Sequence, residues 1–155
     1  MSQFENLKID NQLCFALYSA TNSITRLYRS LLNEFDLTYP QYLVLLVLWE
    51  KDGIAIKDVM RRLKLDSGTL SPIIKRLQNA GLVEKVRTAQ DERIVRLFLN
   101  DKARQLEPLV AEVQNKVACQ TELSSSEFFE LLDRLNQLAK NLKGISKNED
   151  QSAAS

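Results

Sequence analysis

Residues 54–100 read IAIKDVMRRLKLDSGTLSPIIKRLQNAGLVEKVRTAQDERIVRLFLN, and they contain the clearest fold signals of the sequence. It begins with a short amphipathic helix pattern, breaks near Asp66, and resumes with apolar residues at helical spacing. Gly81 is suited to end this second helix, because glycine readily adopts the left-handed conformation of a helix cap. Two helices joined by a turn of about four residues predict a helix-turn-helix.

Two β-prone segments follow the second helix, at residues 82–87 and 94–99, and a polar turn spans residues 88–93. Their partial alternation of apolar and polar side chains is typical of half-buried strands. A helix-turn-helix followed by a two-stranded hairpin with a basic tip is a winged helix-turn-helix. We therefore predict a mainly α fold with a small β component, of the α+β class.

Basic charge is concentrated in this segment. Residues 54–100 contain ten basic and five acidic side chains, a net charge of +5, whereas the whole chain carries +1 and the remainder therefore −4. Neutralisation of phosphates dominates affinity for DNA and requires a local basic face. A solvated basic helix face is the alternative, but the ordered helix-turn-helix, glycine stop and wing favour double-stranded DNA as the partner.

Composition weighs against several other classes of protein. The chain has 155 residues, which suits one domain. It contains no histidine, and this excludes Ser-His-Asp and Cys-His catalysis and most catalytic zinc sites. Its two cysteines, Cys14 and Cys119, form neither a disulfide framework nor a metal motif, and no cofactor or metal is expected. With no signal peptide or membrane-spanning run in the sequence, we expect a cytoplasmic protein with reduced thiols.

Long amphipathic helices are predicted on both sides of the DNA-binding unit. Before it, apolar residues recur in a four-three pattern within residues 10–36, and a nearly apolar helix follows a cap at Thr38. After it, residues 101–145 carry two more helices, the second starting at a capping box on Ser124 or one residue later. Residues 146–155 are polar and are expected to form a disordered tail.

One winged helix does not need this much additional apolar helix. The simplest use of residues 10–36 and 101–145 is a homodimer interface, since a two-fold dimer can place two recognition helices one DNA turn (~34–36 Å) apart on a palindromic operator. A larger monomeric helical core is the alternative. In either case residues 1–155 are treated as a single domain.

Several motifs of the chain resemble those of a known family. The motifs are LCFALY at 13–18, LTYPQYLVLLVLWE at 37–50, LDSGTLSP at 65–72 and, in the wing, D-x-R at Asp91 and Arg93. Together with six helices around a winged helix, they resemble the MarR family of bacterial repressors, and in particular the OhrR subgroup that senses organic hydroperoxides. The resemblance covers most of residues 13–100 and, beyond them, the helix pattern and Cys119.

The resemblance implies a redox site. In the OhrR subgroup a peroxidatic cysteine lies near the start of the first helix, which matches Cys14. Two tyrosines of the partner subunit, which match Tyr28 and Tyr39, hydrogen-bond to that cysteine. Some members carry a resolving cysteine late in the fifth helix, which matches Cys119, so the chain resembles the two-cysteine type.

From the residues alone, Cys14 has two interpretations. Its apolar neighbours are typical of a buried, inert thiol, but a position in the first turns of a helix favours the thiolate through the helix dipole. The thiolate would then lie beside an apolar surface, formed by Phe15, Leu17 and Tyr18, that is suited to lipid or aryl hydroperoxides. Cys14 and Tyr28 lie 14 residues apart on one helix, ~21 Å along its axis, so any contact between them must cross the dimer.

DNA contacts are predicted on the second helix of the motif and on the wing. Small polar and basic side chains of this recognition helix can reach base edges or phosphates, and an arginine at the wing tip, positioned by an aspartate, can enter the minor groove. The predicted contacts are Ser67, Thr69, Ser71, Lys75, Arg76, Arg87, Asp91 and Arg93. Pro72 lies inside this helix if the helix begins at Ser67, so an irregular first turn is expected.

The function that these observations favour is a homodimeric repressor, not an enzyme, that releases its operator when an organic hydroperoxide oxidises Cys14. Two alternatives stay open. One is a MarR-type repressor that binds a small phenolic or lipophilic ligand, with the cysteines incidental. The other is a thiol peroxidase that uses Cys14 and Cys119, which is disfavoured because a basic wing and a recognition helix would have no purpose in it. No membrane association is expected.

Overall fold

The winged helix-turn-helix is present, with long helices before and after it. The structure, a computed structural model, describes the backbone of residues 3–88 and 91–152 and the side chains of residues 3–87 and 93–143. The helices in these ranges are α1 (Leu13–Leu32), α2 (Tyr39–Glu50), α3 (Ile56–Leu63), α4 (Ser67–Asn79), α5 (Asp101–Gln120) and α6 (Ser125–Ser152). The strands are β1 (Ile54–Ala55), β2 (Val83–Thr88) and β3 (Asp91–Leu99). Short 3₁₀ turns occur at Glu5–Leu7, Ile9–Asn11 and Asn33–Phe35.

The chain forms two compact units, Met1–Val117 and Ala118–Ser155. The first contains α1 to α4, the three strands and most of α5, and α2 contributes most to its core. The fully buried side chains of this core are Leu32, Val44, Leu45, Leu48, Val59, Leu70, Ile74, Leu77, Leu97, Ala103 and Val110. The second unit contains the end of α5 and all of α6. The described helices include none with the length and hydrophobicity that a membrane span requires.

The wing is part of a three-stranded antiparallel sheet with the order β1-β3-β2. Only its hairpin was predicted, because β1 is two residues long and so short a strand has no periodicity to detect. The hairpin is longer than predicted, since Thr88 pairs with Asp91 after an irregularity in the register. The polar turn assigned to residues 88–93 is therefore shorter than expected, and residues 89–90 lie outside the described part of the chain.

α2 is a largely buried helix, as its nearly uniform apolar sequence predicted. It begins at the predicted cap, where the Thr38 hydroxyl accepts a hydrogen bond from the Gln41 amide and the Gln41 side chain accepts one from the Thr38 amide. Beyond its end, Gly53 has φ +67, and a Cβ at this position would lie 2.7 Å from Cε1 of Phe98. Only glycine fits this turn without moving the Phe98 ring.

Asp52 joins the base of the wing to α5. Its carboxylate accepts hydrogen bonds from the backbone amides of Gly53 at 2.9 Å and Leu99 at 2.8 Å. It also accepts one from Nη2 of Arg104 at 2.8 Å. Partial burial acts to raise the pKa of Asp52, but these hydrogen bonds outweigh it and hold the pKa below its ordinary value. The ionised carboxylate therefore holds the end of β3 against the first turns of α5.

We expect Asp52→Asn to lower the free energy of unfolding by about 1 kcal/mol at pH 7, allowing for solvent screening at this partly exposed group. Because the folded-state pKa is depressed, the carboxylate stabilises the fold above its unfolded-state pKa. That contribution is lost as the pH falls through the folded-state value. Urea denaturation should show the difference between wild type and variant shrinking between pH 7 and about pH 3. An equal difference at both pH values would contradict this role.

α6 is capped by Ser124, one of the two caps that the sequence allowed. Oε2 of Glu127 accepts from the Ser124 amide at 2.9 Å, and Oγ of Ser124 accepts from the Glu127 amide at 3.4 Å, which completes a capping box. α6 runs to Ser152. The disordered tail expected over residues 146–155 stays a prediction, and residues 153–155 lie outside the described part of the chain. Residues 146–152 include lysine, glutamate and glutamine, which are good helix formers, and no proline.

Both long terminal helices expose apolar side chains. α1 buries Tyr28 and Leu32 near its end but exposes most of the apolar residues of its first half, apart from the half-buried Leu17. The exposed large apolar residues are Leu13, Phe15, Tyr18 and Ile24 in α1, and Phe129, Leu131, Leu132, Leu135 and Leu142 in α6. Many of the apolar residues in these two helices are therefore exposed in the single chain.

Candidate DNA interface and redox site

α4 separates its packing residues from its predicted DNA contacts. Leu70, Ile74 and Leu77 are buried against the core, whereas the predicted contacts lie on exposed positions. These contacts are Ser67, Thr69, Ser71, Lys75 and Arg76. The exposed side is rich in hydroxyl and basic groups, which can bind base edges and phosphates.

The start of α4 is fixed by Asp66, which the sequence pattern marked only as a break. Oδ1 of Asp66 accepts from the Thr69 amide at 2.7 Å. Hydrogen bonds from the Thr69 amide and then its hydroxyl hold the pKa of Asp66 below its ordinary value. The hydroxyl hydrogen of Thr69 is therefore already engaged. Pro72 lies inside α4, as a start at Ser67 predicted, and cannot donate the usual helix bond to the Gly68 carbonyl.

The strands of the wing carry the remaining predicted DNA contacts. Arg87 on β2 and Arg93 on β3 are exposed and lie toward the tip. Asp91 was predicted to position Arg93, but its side chain lies outside the described residues. Arg96, further along β3, donates to the Gly53 carbonyl oxygen at 2.8 Å and so belongs to the base of the wing.

Cys14 is the second residue of α1 and is exposed. The buried, inert thiol considered from the sequence is therefore not what the single chain shows. Leu17 and Tyr18 follow Cys14 by three and four positions and share its helix face, whereas Phe15 is rotated away from it. Tyr18, on the same face as the thiol, is 66% exposed, and Phe15, on the neighbouring face, is 48% exposed.

Three tyrosines form a cluster where α1 packs against α2. The ring centroids of Tyr28 and Tyr39 lie 5.0 Å apart, and Tyr42, which was not predicted, lies 5.3 and 5.9 Å from them. Burial is the main reason that the pKa of each phenol is raised above its ordinary value. The three hydroxyls therefore stay protonated at neutral pH and can donate hydrogen bonds.

Gln114 of α5 accepts hydrogen bonds from this cluster. Its Oε1 accepts from the hydroxyl of Tyr28 and, at 3.4 Å, from that of Tyr42. Gln114 was not predicted from the sequence, although a signal exists. It lies between the buried Val110 and Val117 at four-three spacing, so it is a polar residue within an apolar stripe.

Cys14 and the tyrosine cluster lie far apart in one chain. α1 runs without interruption from Leu13 to Leu32, and the 14 residues from Cys14 to Tyr28 span ~21 Å of helix. A contact between them within a subunit is therefore impossible.

Cys119 is exposed in the last turn of α5, in the second compact unit. Among the described side chains, no group of three or more potential ligands could hold a metal ion.

An open groove of about 570 Å³ lies between α2 and α5. Its lining residues are Tyr42, Leu46, Trp49, Glu50, Glu107, Val110, Ala111, Gln114 and Asn115. The lining is mainly apolar with two carboxylates and no basic side chain, so it is better suited to a neutral apolar group than to an anion. Tyr42 and Gln114 belong to both the groove and the tyrosine cluster.

The chain matches a family of transcriptional regulators. Residues 26–107, more than half of the chain, match the family model described as transcriptional regulator SarA/Rot. The chain is 44% identical over 146 residues to the HTH-type transcriptional regulator TtmR of Methylorubrum extorquens (strain PA1), covering 94% of this chain and 75% of that protein. It is 35% identical over 141 residues to the organic hydroperoxide resistance transcriptional regulator of Bacillus subtilis (strain 168), covering 91% of this chain and 96% of that protein.

Solved structures of AbfR, in one case named as the protein of Staphylococcus epidermidis, share the fold. Reduced AbfR bound to DNA has a TM-score of 0.77 and 33% identity, covering 94% of this chain and 99% of that chain. Overoxidised AbfR bound to DNA (TM-score 0.74, 34% identity) covers 89% of this chain and 97% of that one. Disulfide-formed AbfR (TM-score 0.65, 33% identity) covers 92% and 95%. The MarR-like winged helix predicted from the sequence is thus confirmed, and the chain belongs to the SarA/Rot family of MarR-like winged-helix transcriptional regulators.

Proposed function

We propose that this regulator is a homodimeric repressor that releases a palindromic operator when an organic hydroperoxide oxidises Cys14. The proposal rests on the positions of two groups along α1: an exposed cysteine lies at its start, and a buried tyrosine cluster lies near its end. These two groups can meet only across two subunits. The Bacillus subtilis relative is named for organic hydroperoxide resistance, and AbfR is known in reduced and disulfide-formed states, which supports the same interpretation.

A second copy of the chain is the proposed cover for the exposed apolar faces of α1 and α6. Leu13 is 63% exposed and Phe129 65%, and large apolar side chains repeated along an exposed helix face are typical of an interface. In a two-fold dimer the start of one α1 would approach the tyrosine cluster of the other subunit. The same symmetry would place the two α4 helices on successive turns of a palindrome.

The proposed chemistry needs two thiols and one hydroperoxide. The Cys14 thiolate attacks the peroxide oxygen, so an S–O bond forms, the O–O bond breaks, and the alcohol leaves after taking up a proton. Sulfenic acid results at Cys14. The Cys119 thiolate then attacks the sulfenic sulfur, an S–S bond forms, the S–O bond breaks, and the hydroxyl group leaves as water after taking up a proton. Two thiols are oxidised as one hydroperoxide is reduced. Each pair of thiols therefore reacts with one hydroperoxide, and the protein does not act as a catalyst.

The groove between α2 and α5 supports a second candidate, a regulator that binds a small ligand. Tyr42, Trp49 and Val110 give it an apolar lining. Glu50 and Glu107 would repel a carboxylate or phenolate, although Glu50 is partly neutralised by Arg62 at 2.6 Å. A neutral lipophilic ligand is the class that this lining accepts.

A DNA-binding titration of the purified protein separates these candidates. The redox regulator loses operator affinity after about one equivalent of cumene hydroperoxide per dithiol and recovers it with dithiothreitol. A ligand-binding regulator keeps its affinity in peroxide. A thiol peroxidase supplied with reductant consumes many equivalents of peroxide with no linked change in DNA binding.

Arg93 is proposed to enter the minor groove from the wing. Arg93→Ala is expected to weaken operator binding about tenfold, with the dimer still folded, because the wing loses its cation toward the DNA. Fluorescence anisotropy at moderate salt measures this loss. Lys116→Ala on α5 removes the same charge outside residues 54–100 and should change affinity little. Equal affinities for wild type and Arg93→Ala would show that Arg93 is an ordinary surface residue.

Arg76 is proposed to read a guanine from α4. Arg76→Ala should then cost about 1–3 kcal/mol of operator binding and relax the preference for one base pair in each half-site. Titrations with the operator, with operators altered at single positions, and with random DNA measure the effect. An equal loss on operator and random DNA would instead identify a phosphate contact.

A further inference from the structure

The hydroxyl of Tyr28 has a defined acceptor in its own chain. Tyr28 is 7% exposed, and its hydroxyl donates to Oε1 of Gln114 on α5. Burial, followed by the neighbouring Tyr42, raises the pKa of Tyr28 well above its ordinary value, so the hydroxyl keeps its hydrogen. A phenol has one hydrogen and can make one strong hydrogen bond as a donor. Donation from Tyr28 to any other acceptor therefore requires that its bond to Gln114 be given up.

Gln114 can tolerate the loss of this bond. An amide oxygen has two lone pairs, and Oε1 of Gln114 also accepts from the hydroxyl of Tyr42 at 3.4 Å. Gln114 is exposed, so water can occupy the place that Tyr28 vacates. The tyrosine cluster can therefore exist in two arrangements, with the Tyr28 hydrogen directed at Gln114 or away from it, and neither leaves a buried acceptor without a partner.

We propose that Gln114 is a positioning residue of the redox site, whose carbonyl oxygen competes with the Cys14 thiolate of the partner subunit for the Tyr28 hydrogen. This inference rests on the proposed function, since it requires Tyr28 to reach that thiolate. In the reduced dimer the thiolate, as the charged acceptor, holds the hydrogen. Oxidation removes the charge, and the hydrogen returns to Gln114. Oxidation of one subunit is thereby sensed at α5 of the other.

The competition predicts opposite effects from two substitutions. Gln114→Leu removes the rival acceptor, so Tyr28 becomes more available to the thiolate. Gln114→Glu supplies a charged acceptor of nearly the same shape, which holds the hydrogen more firmly. The pH profile of Cys14 alkylation by iodoacetamide should shift its midpoint down in the first variant and up in the second. The expected size is up to about one pH unit, which is the scale of a hydrogen bond to a charged group.

The measurement uses the full-length dimer with Cys119→Ser, so that Cys14 is the remaining thiol of a chain with two cysteines. Alkylation rates are followed by mass spectrometry, and circular dichroism and gel filtration confirm the folded dimer. Tyr28→Phe is the matched control, because it removes the shared hydrogen and keeps the ring. In the Tyr28→Phe background neither Gln114 variant should move the midpoint further, as a double-mutant cycle requires for one shared interaction.

The outcomes separate this inference from the proposed function. If Tyr28→Phe raises the midpoint and both Gln114 variants leave it unchanged, Gln114 does not compete and only the inference fails. Equal shifts with and without the Tyr28 hydroxyl would also overturn it, because they would reflect packing or direct charge. If Tyr28→Phe itself leaves the midpoint unchanged, Tyr28 does not donate to Cys14 and the proposed sensor arrangement fails as well. Should Gln114→Leu not fold, the near-isosteric Gln114→Glu carries the test alone.

Discussion

Oxidised wild-type protein is expected to migrate as a covalent dimer on a non-reducing gel, whereas Cys14→Ser and Cys119→Ser remain monomeric. The chain has two thiols, and each variant removes one side of the proposed bridge. The bond is expected between subunits because Cys14 can meet the tyrosine cluster only in the partner subunit. Treatment with about one equivalent of cumene hydroperoxide, followed by blocking of free thiols, gives the measurement.

Two other gel results would contradict a bridge between Cys14 and Cys119 of different subunits. A monomeric band in which both thiols resist alkylation would show that the bridge closes within one subunit. A monomeric band with Cys119 still reactive and a trapped sulfenic acid at Cys14 would remove Cys119 from the mechanism. A mixture of Cys14→Ser and Cys119→Ser subunits provides the matched control, because a mixed dimer retains one Cys14 and one Cys119 and should form a single bridge.

The winged helix could be predicted from the sequence because its signals are local. Gly81 has the left-handed φ of +70 that ends a helix, and Thr38 caps α2 as predicted. The periodic residues of α4, such as Leu70 and Ile74, are buried as their spacing required. In each case the residues that fix the structure lie within one or two helical turns of one another.

The missed features depend on residues that are distant in the chain. Tyr28 and Gln114 are 86 positions apart, and Asp52 and Arg104 are 52 apart. No periodicity links such pairs, because their contact is set by how α1, α2 and α5 pack against one another. The short strand β1 was missed for the same reason, since it is defined by its pairing with β3.

The candidate redox site was predictable only in part. The place of Cys14 in the first turn of a helix followed from the apolar pattern of α1, but its exposure did not, since its apolar neighbours equally fit a buried thiol. The pairing of Tyr28 with Tyr39 came from a family resemblance, and the structure adds Tyr42 and Gln114 to that pair. No local sequence pattern links Tyr42 and Gln114 to Cys14, because their place in the candidate site depends on how the helices pack.

Oxidation is expected to lower operator affinity roughly 100-fold or more, because loss of half-site register leaves mainly non-specific phosphate contacts. A disulfide between Cys14 and Cys119 requires their Cα atoms within about 7 Å. Helices that hold them further apart in the reduced dimer must therefore move to form it. Movement of the dimer-forming helices changes the separation of the two α4 helices, and the palindrome is no longer matched.

The most direct test is an anisotropy titration of operator DNA with wild-type protein and with Cys14→Ser, each with and without cumene hydroperoxide. We expect wild type to lose affinity in peroxide and to regain it with dithiothreitol, whereas Cys14→Ser should bind equally well in both conditions. Cys119→Ser, which can form sulfenic acid but no bridge, is expected to stay bound. Release of Cys14→Ser by the hydroperoxide would contradict the central claim that Cys14 is the sensor.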